Sequence, residues 1–415
     1  VARLSLSDHR HNLILNVLHE STWGFGVAFH DVSTILPLFL AQLGAPVGIV
    51  GSLAGLFAIL FAIPQLASAL LGRNIRNIKL ATITVHTLAW PPIFIAGFTF
   101  AFLSPTDQWA WLFYYICFIL YGLAIGFIIP IWANFIGHVT RRDNRGTFLG
   151  ISFMGNSVGG FIGGLIAKQL LSSNLPFPRN FGFGFLITFL AIVIGTLIFF
   201  GYRVSTPKET LPHRTIKAFL HETLQILKTH HNFRRYLYSR MLLIAQLPAV
   251  SLYAVHAHNT FHFAISDAGL LTATKVVAFG FGSFMGGKIG DRFGHKTAVI
   301  FSFTCHLLAL TTALLAQSMV WVYFIFVFLG IASGAFMPAS MSLVYSFAGV
   351  KGDNQIYMAL IDTILAPFTL IAIVLSGVLG TALGVTLVFK IVAIFLVIGL
   401  LMLIFRVRDP ELLTN

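Results

Sequence analysis

Charge is what this chain has least of. Only 9% of its 415 residues are Asp, Glu, Lys or Arg, against 57% hydrophobic, and mean hydropathy is +0.88. So few charges cannot cover a water-soluble globule of this length, which excludes a soluble enzyme or binding domain. Acidic residues are scarcest, 13 against 26 Lys plus Arg. Cysteine is nearly absent: Cys117 and Cys305 fall in separate apolar runs, so neither a disulfide framework nor a four-ligand zinc site can be assembled. Period-two alternation is missing, which argues against an outer-membrane barrel. No cleavable leader is expected, because the first apolar run is long and carries Glu20, His30 and Asp31 within it.

What is present is a series of apolar runs of membrane-crossing length. A hydrocarbon core of about 30 Å takes roughly 20 apolar residues per helix. The chain offers twelve spans, at about 13–42, 46–71, 79–103, 108–138, 147–171, 181–203, 236–263, 267–289, 297–316, 319–347, 356–380 and 385–406. This predicts an all-α integral membrane protein. If the spans alternate in direction, 22 of the 26 Lys and Arg fall on one side and only Lys168 and Arg179 on the other. By the positive-inside rule both termini are cytoplasmic, in a cell membrane, or in the inner membrane of a Gram-negative bacterium. The basic excess is thereby explained by orientation in the lipid bilayer, without a nucleic-acid partner.

The chain divides into residues 1–203, a connection at 204–235 and residues 236–415. The connection carries Ile216, Phe219, Leu220, Leu224 and Leu227 at helical spacing, with Lys217, Glu222 and Lys228 opposite, the pattern of a helix lying in the cytoplasmic interface. The flanking parts repeat. Gly122-x3-Gly126-x3-Pro130 in span 4 recurs as Gly330-x3-Gly334-x3-Pro338 in span 10, and Asp143-Asn144-Arg145 recurs as Asp353-Asn354-Gln355. Two pseudo-symmetric six-helix bundles are therefore expected.

The turn Gly287-Lys288-Ile289-Gly290-Asp291-Arg292-Phe293-Gly294-His295-Lys296 lies between spans 8 and 9. Together with six plus six spans, internal termini and a long central connection, it resembles the cytoplasmic loop signature of the major facilitator superfamily. The match runs through Gly287, Asp291, Arg292, Gly294, His295 and Lys296. The resemblance implies secondary transport of a small solute or ion by alternating access, with spans 5 and 8 meeting between the halves and span 1 lining a central cavity. It also implies an inner latch, with Asp291 capping the start of span 5. The first copy of the signature, Gly72 to Lys79, has lost its acid. The family's basic residue in span 4 is replaced by Phe118. Gly155-Asn156-Ser157-Val158-Gly159-Gly160 resembles the span 5 motif of proton-driven exporters with Asn156 in place of proline, which favours export.

Glycines recur every four residues at Gly155, Gly159 and Gly163 in span 5 and at Gly282, Gly286 and Gly290 in span 8, so each helix presents a smooth face; these faces are expected at the seam between halves. Charges within spans are candidates for function: Glu20, Asp31, Lys275 and Asp362, with Lys390 near enough to an end to snorkel. Glu20 and Asp31, eleven residues apart, fall within roughly 20° on one continuous helix, with Trp23 on or beside that face and His19 and His30 flanking it. Asp31 and Lys275 are expected to pair or bind solute, and Glu20 or Asp31 to carry protons. Asn134 and Tyr345 are candidate cavity liners.

His258 and His262 have i, i+4 spacing, with His256 nearby, so divalent transition-metal transport, joined by Asp31 and His30, is the second reading. Uncoupled transport or a transporter-like receptor is the third. Enzymatic readings fail. Gly282-x4-Gly287-Lys288 lacks the Ser or Thr of a phosphate loop, and no soluble segment is large enough for a nucleotide domain. No cofactor is implied, and a single chain suffices for the fold.

Overall fold

The computed structural model describes residues 4–72, 75, 77–141, 145–204, 216–348 and 354–410. Eleven helices among them are long and apolar enough to cross a membrane, and Val47–Gly72 adds a helix with the shorter apolar stretch Val47–Ala62. The spans of the N-terminal bundle are 1 (Leu6–Gln42), 2 (Val47–Gly72), 3 (Ile78–Leu103), 4 (Ala110–Val139), 5 (Arg145–Leu171) and 6 (Arg179–Gly201). Those of the C-terminal bundle are 7 (His231–Phe261), 8 (Asp267–Phe293), 9 (His295–Leu315), 10 (Met319–Ala348), 11 (Asn354–Leu383) and 12 (Val385–Arg406). The connection holds a helix at Ile216–Thr229; Ile226 and Leu227 pack on the C-terminal bundle while Leu224 is exposed. Residues 205–215 of that connection lie outside the described residues.

Three spans are not continuous helices. Span 3 breaks before Trp90, where Pro91 and Pro92 occupy the first turn of a new segment, the positions at which proline's missing N–H costs nothing. Span 7 breaks at Ile244 and Ala245. Span 1 runs as Leu6–Val27, tightens to a 3-10 turn at Ala28–His30, and restarts at Ile35. The core of the N-terminal bundle on that far side is aromatic: Phe39 meets Phe100, Tyr114, Phe181 and Phe185 with centroids 4.9–5.1 Å apart, each pair contributing about 0.5–1.5 kcal/mol beyond area burial.

The two bundles close their ends with the same device. Asn12 donates to the carbonyl of Arg203 at 2.7 Å and accepts from its N–H at 2.9 Å; Asn232 does the same with Arg408, both at 2.8 Å. Lys79, opening span 3, donates to the carbonyl of Phe200 at 2.6 Å, and Lys296, opening span 9, donates to that of Ile404 at 3.0 Å. The first helix of each half is thus tied to the exit of its sixth, and the third to the sixth, by bonds that satisfy backbone groups at helix ends.

Candidate transport site

The break in span 1 builds a buried charged feature where the two bundles meet. Residues 31–34 leave helical geometry, and in a membrane the freed backbone groups must find partners. Asp31 supplies them: its Oδ1 accepts from the Ser33 N–H at 2.9 Å, the Ser33 hydroxyl at 2.5 Å and the Thr34 hydroxyl at 3.1 Å. Its Oδ2 accepts from Lys275 of span 8, whose Nζ also donates to Ser33 Oγ at 2.9 Å. Both charged side chains are largely buried. The ion pair therefore joins the two bundles. Lys168 and Asp267, 3.7 Å apart, form a second, more exposed bridge between spans 5 and 8. The Ser251 hydroxyl of span 7 accepts from the Ala54 N–H of span 2 at 2.8 Å, a bond made across the seam.

The same break corrects the expected common face of Glu20 and Asp31. A uniform 100° step does not pass through a helix that ends at Val27. Glu20 points instead into the seam between spans 1 and 5, where Asn156 Nδ2 donates to its Oε2 at 3.1 Å and His19 Nε2 lies 3.9 Å from its Oε1. His19 donates from Nδ1 to the Gly195 carbonyl at 3.0 Å, which turns its Nε2 toward Glu20. Trp23 packs beside His19 and His86, with centroids 6.1 and 5.9 Å away. His30 belongs to the N-terminal core: it shares a 2.9 Å hydrogen bond with the Tyr114 hydroxyl and packs edge-on against Tyr121, whereas a face toward solute was expected. Phe118 is buried beside it.

In the C-terminal bundle, Asp362 is half-buried in span 11. Arg240 was grouped with the cytoplasmic charges by counting, yet it lies over the Phe336 ring at 4.4 Å and its Nε is buried without a hydrogen-bond partner among the described residues. Asn134 is exposed on span 4, and the Tyr345 side chain lies outside those described.

The histidines of span 7 do not converge. His258 turns its Nδ1 to the Phe263 carbonyl at 2.9 Å, and His256 packs on Phe389. His262 has left the helix with φ 51°, so the i, i+4 geometry expected of it does not hold. Among the described residues no three metal-ligating side chains come together.

The glycine rows face other partners than expected. Gly155, Gly159 and Gly163 lie against Val17, Ser21 and Phe25 of span 1, and Gly282 and Gly286 against Ile331 and Ala335 of span 10, so both rows pack inside their own bundles. The seam between spans 5 and 8 is made by the next row round, where Gly164 meets Gly269 and Ala273, and Gly160 meets Val276. A row of glycines defines a smooth face, but any neighbouring helix can fill it.

In the signature turn, Gly294 takes φ +87°, a left-handed conformation that glycine reaches without strain, and Arg292 lies over the Phe293 ring. Gly287 has open space beside it and Asp291 is exposed. The expected latch between Asp291 and the start of span 5 falls on residues 142–147, outside the described residues and side chains.

Two six-helix bundles crossed by a buried ion pair are the architecture of a multi-pass membrane transporter. The chain belongs to the major facilitator superfamily, whose family description matches residues 21–255 and 239–415. Among curated protein sequences none matches it. Solved structures with the same fold include a bacterial homologue of the human lysosomal transporter Spinster, inward-facing and unoccupied, at 13% identity and TM-score 0.67, covering 99% of this chain and 97% of that one. A POT family transporter in complex with a thioalcohol-conjugated peptide is similar at 14% identity and TM-score 0.73, covering 95% and 96%. FucP, in the outward conformation, is similar at 13% identity and TM-score 0.64, covering 97% and 100%. At these identities the likeness concerns the fold.

Proposed function

We propose that the chain is a secondary transporter that moves a small solute by alternating access, coupled to protons and favouring export, with both termini cytoplasmic and no bound cofactor. The observation that supports this reading most is the ion pair of Asp31 with Lys275, built into the contact surface of the two bundles. Among the described residues, the glycine contacts between the bundles run from Gly280 against Ser157 near mid-span to Gly48 against Gly377 at the end away from the termini. A pair in that position must part when the seam opens and re-form when it closes, which makes it a control point for access. In this reading the conformation is closed on the outer side.

Glu20 is the carboxyl suited to carry the proton. Asp31 already has an ammonium partner and three donors on its other oxygen. Glu20 has the Asn156 amide and His19 Nε2 beside it and, among the described residues, no lysine or arginine partner, so it can take and release a proton without breaking a bond to a fixed cation. The test is flux in proteoliposomes, using solutes found by thermal-shift screening, with and without an imposed pH gradient. Wild type is expected to respond to the gradient and Glu20→Gln to transport without responding. Gradient-independent flux in wild type, surviving Glu20→Gln with Asp31→Asn, would remove proton coupling from the reading.

A further inference from the structure

The lipid-facing wall of the C-terminal bundle is not smooth. Between spans 11 and 12, floored by span 7, lies a cleft of about 430 Å³ lined by apolar side chains such as Leu242, Ala372, Leu375, Val388, Phe395 and Met402. The hydroxyl of Ser376 within it is spent on the Ile373 carbonyl at 2.9 Å, so the cleft presents almost nothing to a polar solute. From Val388 to Met402 is fourteen residues of helix, about 21 Å at ~1.5 Å per residue. That exceeds half of a ~30 Å hydrocarbon core, so a chain entering from the terminus-side leaflet and filling the cleft would pass the bilayer midplane.

The terminus-side mouth of this cleft is basic. Arg235 lies one turn before the lining residue Tyr238, and Arg406 one turn after Met402; both are exposed, and Arg235 Nη1 donates to the Arg406 backbone carbonyl at 3.5 Å, which brings the Arg235 side chain to the end of span 12. Among the described residues no carboxylate lines the cleft. The nearby Asp409 is buried against Gly294. Orientation rules alone account for basic residues at this side, but not for an apolar cleft that ends between two of them. We propose that this is a binding site for an anionic phospholipid, its phosphate held by Arg235 and Arg406 and one acyl chain lying between spans 11 and 12. A lipid seated there would brace span 11, which carries Asp362 and meets span 2 across the seam through Gly377 and Gly48.

The purified full chain in detergent is titrated with dioleoyl phosphatidylglycerol or dioleoyl phosphatidylcholine, and bound lipids are counted by native mass spectrometry. One phosphatidylglycerol is expected to be held more tightly than the rest, with its affinity lowered about 30-fold in the Arg235→Gln/Arg406→Gln double variant. Ala372→Trp, which fills the cleft, is expected to abolish that tight site while thermal unfolding without added lipid stays near wild type. If Ala372→Trp does not fold, Leu375→Trp carries that arm, since Leu375 is 53% exposed on the lip and tolerates bulk. Equal retention of the two lipids, unmoved by the arginine changes, would overturn the proposal in favour of general solvation or an apolar solute. Tight phosphatidylglycerol binding that persists in the tryptophan variant would overturn it as well.

Discussion

Asp31 and Lys275 are worth most as a pair. Removing either charge leaves the other buried and alone, which costs about 3–5 kcal/mol, whereas replacing both removes the desolvation burden along with the attraction. Thermal unfolding of Asp31→Asn, Lys275→Met and the double variant should therefore be strongly non-additive, the double falling less than either single change suggests. Additive losses would show that the two side chains do not act on one another. These two residues were legible in the sequence because ionised groups are scarce inside membrane helices, so each invites an explanation. Arg240 was not, since counting basic residues by side absorbed it into the cytoplasmic set; only packing shows it over Phe336. The Lys168 to Asp267 bridge was missed because both sit at helix ends, where charge is ordinary.

At the scale of the helix, the sequence shows which face is smooth and not what lies against it. Gly159 packs against the Ser21 backbone so closely that an added Cβ would collide with the carbonyl, whereas Gly150 on the same helix has nothing within 4 Å. Gly159→Ala is expected to destabilise by about 1–3 kcal/mol, an overpacking cost, and Gly150→Ala to be neutral or slightly stabilising. Differential scanning fluorimetry in detergent reads the contrast, and equal shifts would refute the close packing of spans 1 and 5. The helix breaks were equally hidden. Asp31, Ser33 and Thr34 read as polar residues in an apolar run, and hydropathy does not distinguish a polar stripe on a helix from side chains that replace lost backbone hydrogen bonds. By contrast, the spans themselves were legible, because their length and hydrophobicity follow directly from the bilayer.

For the whole molecule, the repeat in sequence was sparse but the repeat in structure is detailed: Asn12 with Arg203 and Asn232 with Arg408 are the same clamp, each asparagine preceded by a histidine. Two bundles stapled in this way are expected to move as units. Gly380 is positioned to test that, because a Cβ there would lie 3.2 Å from Val47 Cγ1, the place a cysteine sulfur would take. The Val47→Cys/Gly380→Cys variant should cross-link on oxidation, lose at least about tenfold in flux by holding the outer side shut, and regain it on reduction. Full flux in the oxidised, cross-linked protein would show that this end of the seam need not open.

The two oxygens of Asp31 have separate duties. Oδ2 reaches the opposite bundle, while Oδ1 holds the turn of its own chain through Ser33 and Thr34. If the bundles part as proposed, Lys275 departs with its half and the turn keeps its scaffold. In the proposed transport cycle span 1 would cross from one state to the other as a rigid elbow, already bent, with no need to wind or unwind in order to let cargo through.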